Sequence, residues 1–265
     1  MTEVTLSNLP PVNIPSEWNE LSREQLLFVC TKLNAYQTAD DALKAELKSA
    51  IAFHFINLPI AERTEYVAEQ LRTLLLPAID FLFEPSQLTK QLLPRIKIRK
   101  HISAIFLYAP ADNFNNLTFE EFDDAEFWLE QMKAENKTEE ALNMFCAILY
   151  REHKETKGDT RAPYSAHDNE ARAKWFAHCE PEVRLAILLW YTGCRAQLVN
   201  NFEEIFSASP SENATPGGWT IIAHSLAGPV LGTIDDVLKR PVRQVFTEMQ
   251  RLFKNAKELE ALREK

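Results

Sequence analysis

The stretch GWTIIAHSLAGPVLG, Gly218 to Gly232, has the outline of a serine hydrolase's active-site turn with Ser225 as its nucleophile. That turn is G-x-S-x-G: a strand feeds a sharp bend, and glycines flank the serine because the strained backbone leaves no room for side chains. Ala223 and Ala227 occupy the flanking positions here. In that fold the triad follows in the order Ser, Asp or Glu, then His. No histidine follows Ser225, the last being its neighbour His224, and no HGGG-like oxyanion loop lies upstream. Trp219, Ile222, Leu226 and Val230 recur at helical spacing, and Gly228 and Pro229 form a stop signal. A packed helix is the expectation, and a serine hydrolase using Ser225 is the alternative.

Other chemistry-bearing residues point the same way. His178 and Cys179 are adjacent, so they diverge on a helix, and Cys194 and His224 stand at no ligand spacing. TFEEFDDAEFWLE is rich in carboxylates. Glu120, Asp123, Asp124 and Glu130 fall mainly opposite the aromatic residues, without the histidines of a di-metal bundle, and predict a solvated acidic face. There is no Walker loop and no G-x-G-x-x-G. No catalytic, cofactor-binding or metal-binding residue is therefore expected. The basic run RIKIRK places Arg95, Lys97, Arg99 and Lys100 close together, which reads as an edge or an inter-subunit contact. A nucleic-acid accessory role for that run is a second alternative that the acidic chain disfavours.

The elements carrying these residues are helical. Composition is 46% hydrophobic and 25% charged, which excludes wholesale disorder. Only six glycines occur in 265 residues, too few for the phosphate loops and tight strand-to-helix turns of parallel α/β enzymes. The expected fold is all-α, a multi-helix bundle of about ten helices with one short β-hairpin near 95–108. Cys30, Cys146, Cys179 and Cys194 form no framework, and the first residues carry no leader pattern, so the chain is expected in the bacterial cytoplasm or associated with a virion. Its longest apolar stretch, Leu185 to Tyr191, falls far short of the roughly 20 residues of a membrane helix. The formal charge is −9, yet from Leu238 onward eight Lys or Arg face four Glu, a net of +4 that leaves −13 for the preceding residues. Such asymmetry suits an acidic partner or self-association.

Along the chain, three prolines in the first 17 residues predict an extended arm. Ser22 with Gln25 and Thr118 with Glu121 are capping boxes that open helices. Thr38 is expected to cap a second helix, Pro59 to open a third carrying Val67, Leu71, Leu74 and Leu75, and Pro77 to end or kink it. Asp168 is expected to cap the helix of Trp175 and Phe176, and Pro181 opens one that is apolar nearly all round. The polar loop near Lys157 marks the expected division: an arm at 1–17, a helical domain at 18–155 and another at 156–265, the last two sharing one core in an alternative arrangement. In the last helix Val242, Val245, Met249, Leu252, Ala256 and Leu259 follow 3-4-3-4 spacing. That run is short for an independent coiled coil and favours packing on the same molecule. The residues expected to meet a partner are Val242, Val245, Met249, Leu252 and Leu259, together with Arg95, Lys97 and Arg99.

Four segments carry a resemblance that spans most of the chain. They are VNIPSEWNELSREQL; ALNMFCAILYREHK with GDTRAPY; AILLWYTGCRAQL; and GWTIIAHSLAG leading to VLKRPVRQVFTEM. Together they resemble helical proteins encoded among the tail genes of phages and prophage-like elements. The resemblance implies a non-enzymatic role in building or completing a tail, like that of assembly chaperones encoded beside the tape-measure protein. Expected partners are therefore other protein subunits, phage tail or tape-measure proteins among them, with a homo-oligomer as a further option and no membrane. The group supplies no functional residues to carry over.

Overall fold

The computed structural model describes residues 1–5, 11–57, 69, 71–100, 103–133, 138–156, 159–208, 218–228 and 231–263. Helices dominate, and the strands among the described residues form three separate two-stranded antiparallel sheets. The fold is the expected multi-helix, mostly all-α type, with short hairpins. Contacts divide it into two compact units, each built from two stretches of chain: Met1–Leu93 with Glu180–Cys194, and Pro94–Cys179 with Arg195–Lys265. The boundary expected near residue 157 falls inside the second unit, where the Arg161 guanidinium donates back to the Leu149 carbonyl at 3.0 Å.

In the first unit β1 (Thr2–Val4) pairs with β2 (Val12–Ile14), and Val4 and Ile14 are buried. The expected extended arm thus contains two extended strands, ordered against its own unit through the burial of Val4 and Ile14. Ser22 and Gln25 form the predicted reciprocal cap of α1 (Arg23–Tyr36). The cap of α2 (Asp41–Phe55) is Asp40 rather than Thr38, its carboxylate accepting from the Leu43 N–H at 2.8 Å. Pro59 and Val67, expected in a third helix, lie outside the described residues. Leu71–Leu75 forms a π-helical turn before Leu76–Ala78. The widened turn accommodates Pro77, whose ring has no N–H to give and clashes with a regular preceding turn. Leu75 is buried there while Leu74 is 46% exposed.

The same unit shows why one glycine is required. A Cβ on Gly193 would lie 2.4 Å from the Leu88 carbonyl oxygen, so only glycine lets this backbone pass. Trp190 Nε1 donates to the neighbouring Thr89 carbonyl at 3.2 Å, and the Asn19 Oδ1 accepts from the Thr89 and Lys90 N–H groups at 2.9 Å each.

The second unit opens with β3 (Arg95–Lys100) and β4 (Ser103–Tyr108), the hairpin that alternation predicts. Ile96, Ile98 and Leu107 are buried. There follow α3 (Phe119–Gln131), α4 (Thr138–Leu149), the β5 (His153–Thr156) and β6 (Asp159–Arg161) pair, and α5 (Asn169–Phe176). Asp168 stands at the start of α5 but its side chain caps no N–H; it lies 3.8 Å from the Arg172 guanidinium. Next, α6 (Pro181–Asn201) contributes its last turns to this unit, before α7 (Glu203–Ala208), α8 (Gly218–Leu226), α9 (Ile234–Leu238) and α10 (Val242–Arg263).

An aromatic cluster forms the core of the second unit. Phe246 on α10 meets Phe122 at 5.7 Å, Trp219 at 5.1 Å and Phe206 at 5.2 Å between ring centroids. Such contacts each add about 0.5–1.5 kcal/mol beyond the area they bury. The starts of α3 and α10 are joined by backbone hydrogen bonds, Phe119 N–H to the Arg240 carbonyl at 2.9 Å and Val242 N–H to the Leu117 carbonyl at 2.8 Å. The first turns of α10 are therefore fixed twice, by rings and by backbone.

Candidate interaction surfaces

Ser225 sits in the last turn of α8, exposed, its hydroxyl donating to the Ile222 carbonyl at 2.7 Å. A nucleophile turn needs a strained residue after a strand. Ser225 is helical, and it is not among the described residues with positive φ. His224 is exposed beside it. Among the described residues no group of three His, Cys, Asp or Glu is placed to hold a metal ion, and all four cysteines are buried. Burial pushes the Cys30 thiol up, which leaves it a poor nucleophile.

A cavity of ≈ 280 Å³ opens in the first unit, lined by residues that include Trp18, Asn19, Phe81 and Gln87. It is smaller than the roughly 300–1,000 Å³ of ligand pockets. Its most versatile polar group, the Asn19 amide, already serves the Thr89 and Lys90 backbone.

The densest charged chemistry is buried in the second unit; of the acidic face expected in solvent, Glu130 is exposed, Glu120 and Asp124 are half-buried and Asp123 is buried. Glu121 is 0% exposed and pairs with Arg151 at 2.7 Å and Arg161 at 2.8 Å. The Arg161 guanidinium has five N–H groups. They reach Glu121, Asp159 and the carbonyls of Leu149 and Asn116. Arg172, also buried, donates to the Ala147 carbonyl at 2.6 Å and to Asn169 at 3.0 Å. Asp123 accepts from the Thr220 hydroxyl and from backbone N–H groups of Trp219 and Thr220, closing the start of α8 from a different helix. Asp124 accepts from the Tyr164 hydroxyl. Burial raises both aspartates above the usual carboxylate range, against those hydrogen bonds. Each of these groups meets a protein partner, so the arrangement positions helices, although the buried Arg151 Nε and Arg172 Nε make no hydrogen bond to the described residues.

Sequence reading missed this network. Its one signal was the Thr118–Glu121 box, whose glutamate accepts from the Thr118 N–H at 3.0 Å and also anchors two arginines.

The residues expected at a partner interface divide into two sets. Val242 and Val245 are 0% exposed and Met249 is 6% exposed, so all three belong to the unit's core and are not available to a partner. The correction follows from Phe119, Phe122 and Trp219, which converge on Phe246 and enclose the same turns of α10. Beyond Met249 the stripe continues uncovered: Leu252 is 43% exposed, Phe253 37%, Leu259 59% and Leu262 68%. Lys257 meets Glu204 of α7 at 3.1 Å on the polar side of this segment. Arg95, Lys97 and Arg99 are all exposed and share the outer face of the β3–β4 hairpin.

No helix among the described residues is long and apolar enough to cross a membrane. No family model, curated protein or solved structure matches this chain.

Proposed function

We propose that this chain is a non-enzymatic assembly protein acting through protein–protein contacts, and that it serves phage-like tail assembly, with tail or tape-measure proteins as partners. The contact element is the part of α10 beyond Met249. One observation carries this reading: an apolar stripe that is sealed inside the unit as far as Met249 runs on, at the same spacing, through Leu252 and Leu259 in solvent. Exposed contiguous apolar surface is characteristic of association sites. The exposed stretch covers fewer than two heptads, too little for two such helices to form an independent coiled coil. It fits instead a groove supplied by a partner, in which an amphipathic helix lays down its apolar side. The chain from Leu238 onward carries a net +4, so a groove with carboxylates on its rim complements this segment. The setting in tail assembly rests on the resemblance of the four segments.

The test is capture from a phage-induced lysate with the full chain as bait, beside the double variant Leu252→Lys, Leu259→Lys. Both positions are exposed, so the variant keeps the fold. Recovery of a tail protein by the parent chain, reduced roughly tenfold or more by the variant, is the expected result. Absence of tail proteins, or recovery that the variant leaves unchanged, overturns the reading.

A further inference from the structure

We infer that the outer face of the β3–β4 hairpin binds single-stranded nucleic acid. The register sets Arg95 opposite Tyr108, Lys97 opposite Phe106 and Arg99 opposite Ala104. Directly paired residues share one face of an antiparallel sheet. Three cations and two aromatic rings therefore stand together, while Ile96, Ile98 and Leu107 turn inward and are buried. Among the described residues no carboxylate pairs with Arg95, Lys97 or Arg99, in a chain whose formal charge is −9. Three cations at alternate positions repel one another, and although Arg95 and Lys97 lean over the Phe106 ring, no carboxylate among the described residues neutralises them. A polyanion supplies what the face lacks.

The rings decide which polyanion. Phe106 is 42% exposed, with the Arg95 guanidinium 4.6 Å and the Lys97 ammonium 5.7 Å from its centroid. Tyr108 is half-buried and its ring meets that of exposed His153 at 5.0 Å. Residues two apart on a strand are separated by about 6.8 Å, and the adjacent strand lies about 4.8 Å away. Two unstacked neighbouring bases each find a ring at that spacing, with the cations beside them for the phosphates. A duplex keeps its bases stacked on each other and gains only the charge contacts. An acidic peptide likewise uses the cations and has no planar group for Phe106.

Fluorescence anisotropy on the full chain tests this, with labelled oligo-dT, a duplex of equal length and a polyglutamate peptide at about 50 mM salt. Oligo-dT is expected to bind at least tenfold more tightly than either competitor. Its log affinity should fall with log salt at a slope of about −2, from three phosphate contacts. Phe106→Ala, which keeps every cation, should weaken binding roughly tenfold with the slope unchanged. Lys97→Gln should reduce the slope by about 0.7. Both side chains are exposed, so neither variant threatens the fold. Failure of oligo-dT to bind, equal binding of the three probes, or indifference to Phe106→Ala overturns the inference; the last two outcomes reduce the face to a simple anion exchanger.

Discussion

Arg151 and Arg161 lie sealed in the second unit against Glu121, whereas Arg95 and Arg99, in the same unit, stand in solvent with no carboxylate partner among the described residues. The side chains are the same and their surroundings are opposite. A guanidinium inside a protein persists only where its charge is compensated, as Glu121 compensates both of these, and a group held that way is closed to a ligand. On a surface the same group is stable without partners and remains open to them. Partner supply, not residue type, separates structural arginine from binding arginine here. The contrast is broken most directly at Glu121. Glu121→Ala leaves two buried cations without their shared carboxylate and removes half of a capping box, and it should destabilise the second unit by about 3–5 kcal/mol. Lys97→Ala should move stability by no more than about 0.5 kcal/mol. Urea unfolding of both variants makes the comparison. A cost below about 1 kcal/mol for Glu121→Ala would show that the buried arginines find water or other acceptors, and the distinction would lapse.

The same contrast recurs along α10 with apolar side chains. Met249 and Leu252 are one helical turn apart in one stripe, yet the first is 6% exposed and the second 43%. Met249→Ala should cost about 2–3 kcal/mol, near the lower end for a buried side chain because Met249 lies at the edge of the core, 6% exposed, where neighbours and solvent can partly refill the space. Leu252→Ala should lie within about 0.5 kcal/mol of the parent chain. Thermal unfolding of the two variants measures the difference. Equal destabilisation would mean that Leu252 is covered in solution, which points to self-association through this segment.

Local signals made much of this fold legible. The reciprocal caps at Ser22–Gln25 and Thr118–Glu121 involve residues three apart, and both form as read. Alternation in RIKIRK and the facing SAIFLY gave the hairpin. What stayed hidden depends on neighbours distant in sequence. β1 and β2 have three residues each, too few to display a period of two. Asp123 looked solvated on a helical projection because the projection contains one helix, and the start of α8 covers that side. Glu121 and Arg161 are 40 residues apart, and nothing within either segment announces the other. The first unit recruits Glu180–Cys194 across the intervening second unit, which no linear boundary can express. The candidate surfaces were half legible for the same reason. Spacing revealed the stripe of α10 and the basic run of β3, but not where packing stops covering the stripe, nor that register sets Phe106 beside Lys97.

Between sealed and solvated groups lies His54 on α2. Its ring is stacked on Phe28 at a centroid distance of 3.8 Å, while the residue as a whole remains exposed. Partial burial lowers its pKa from 6.5, and Glu24, which acts in the opposite direction, does not fully offset this. The folded chain therefore favours neutral imidazole. The resulting stabilisation is fully present above the unfolded pKa of 6.5 and is lost as pH falls through the lower folded value. His54→Phe keeps a flat ring against Phe28 and cannot take a proton. Between about pH 7.5 and pH 5 the parent chain should lose ~1–2 °C of melting temperature more than this variant, the scale of a surface substitution. Identical pH profiles would place His54 with the freely solvated groups. A much larger divergence would place it with the buried ones, because only a side chain without access to water penalises its own protonation so heavily.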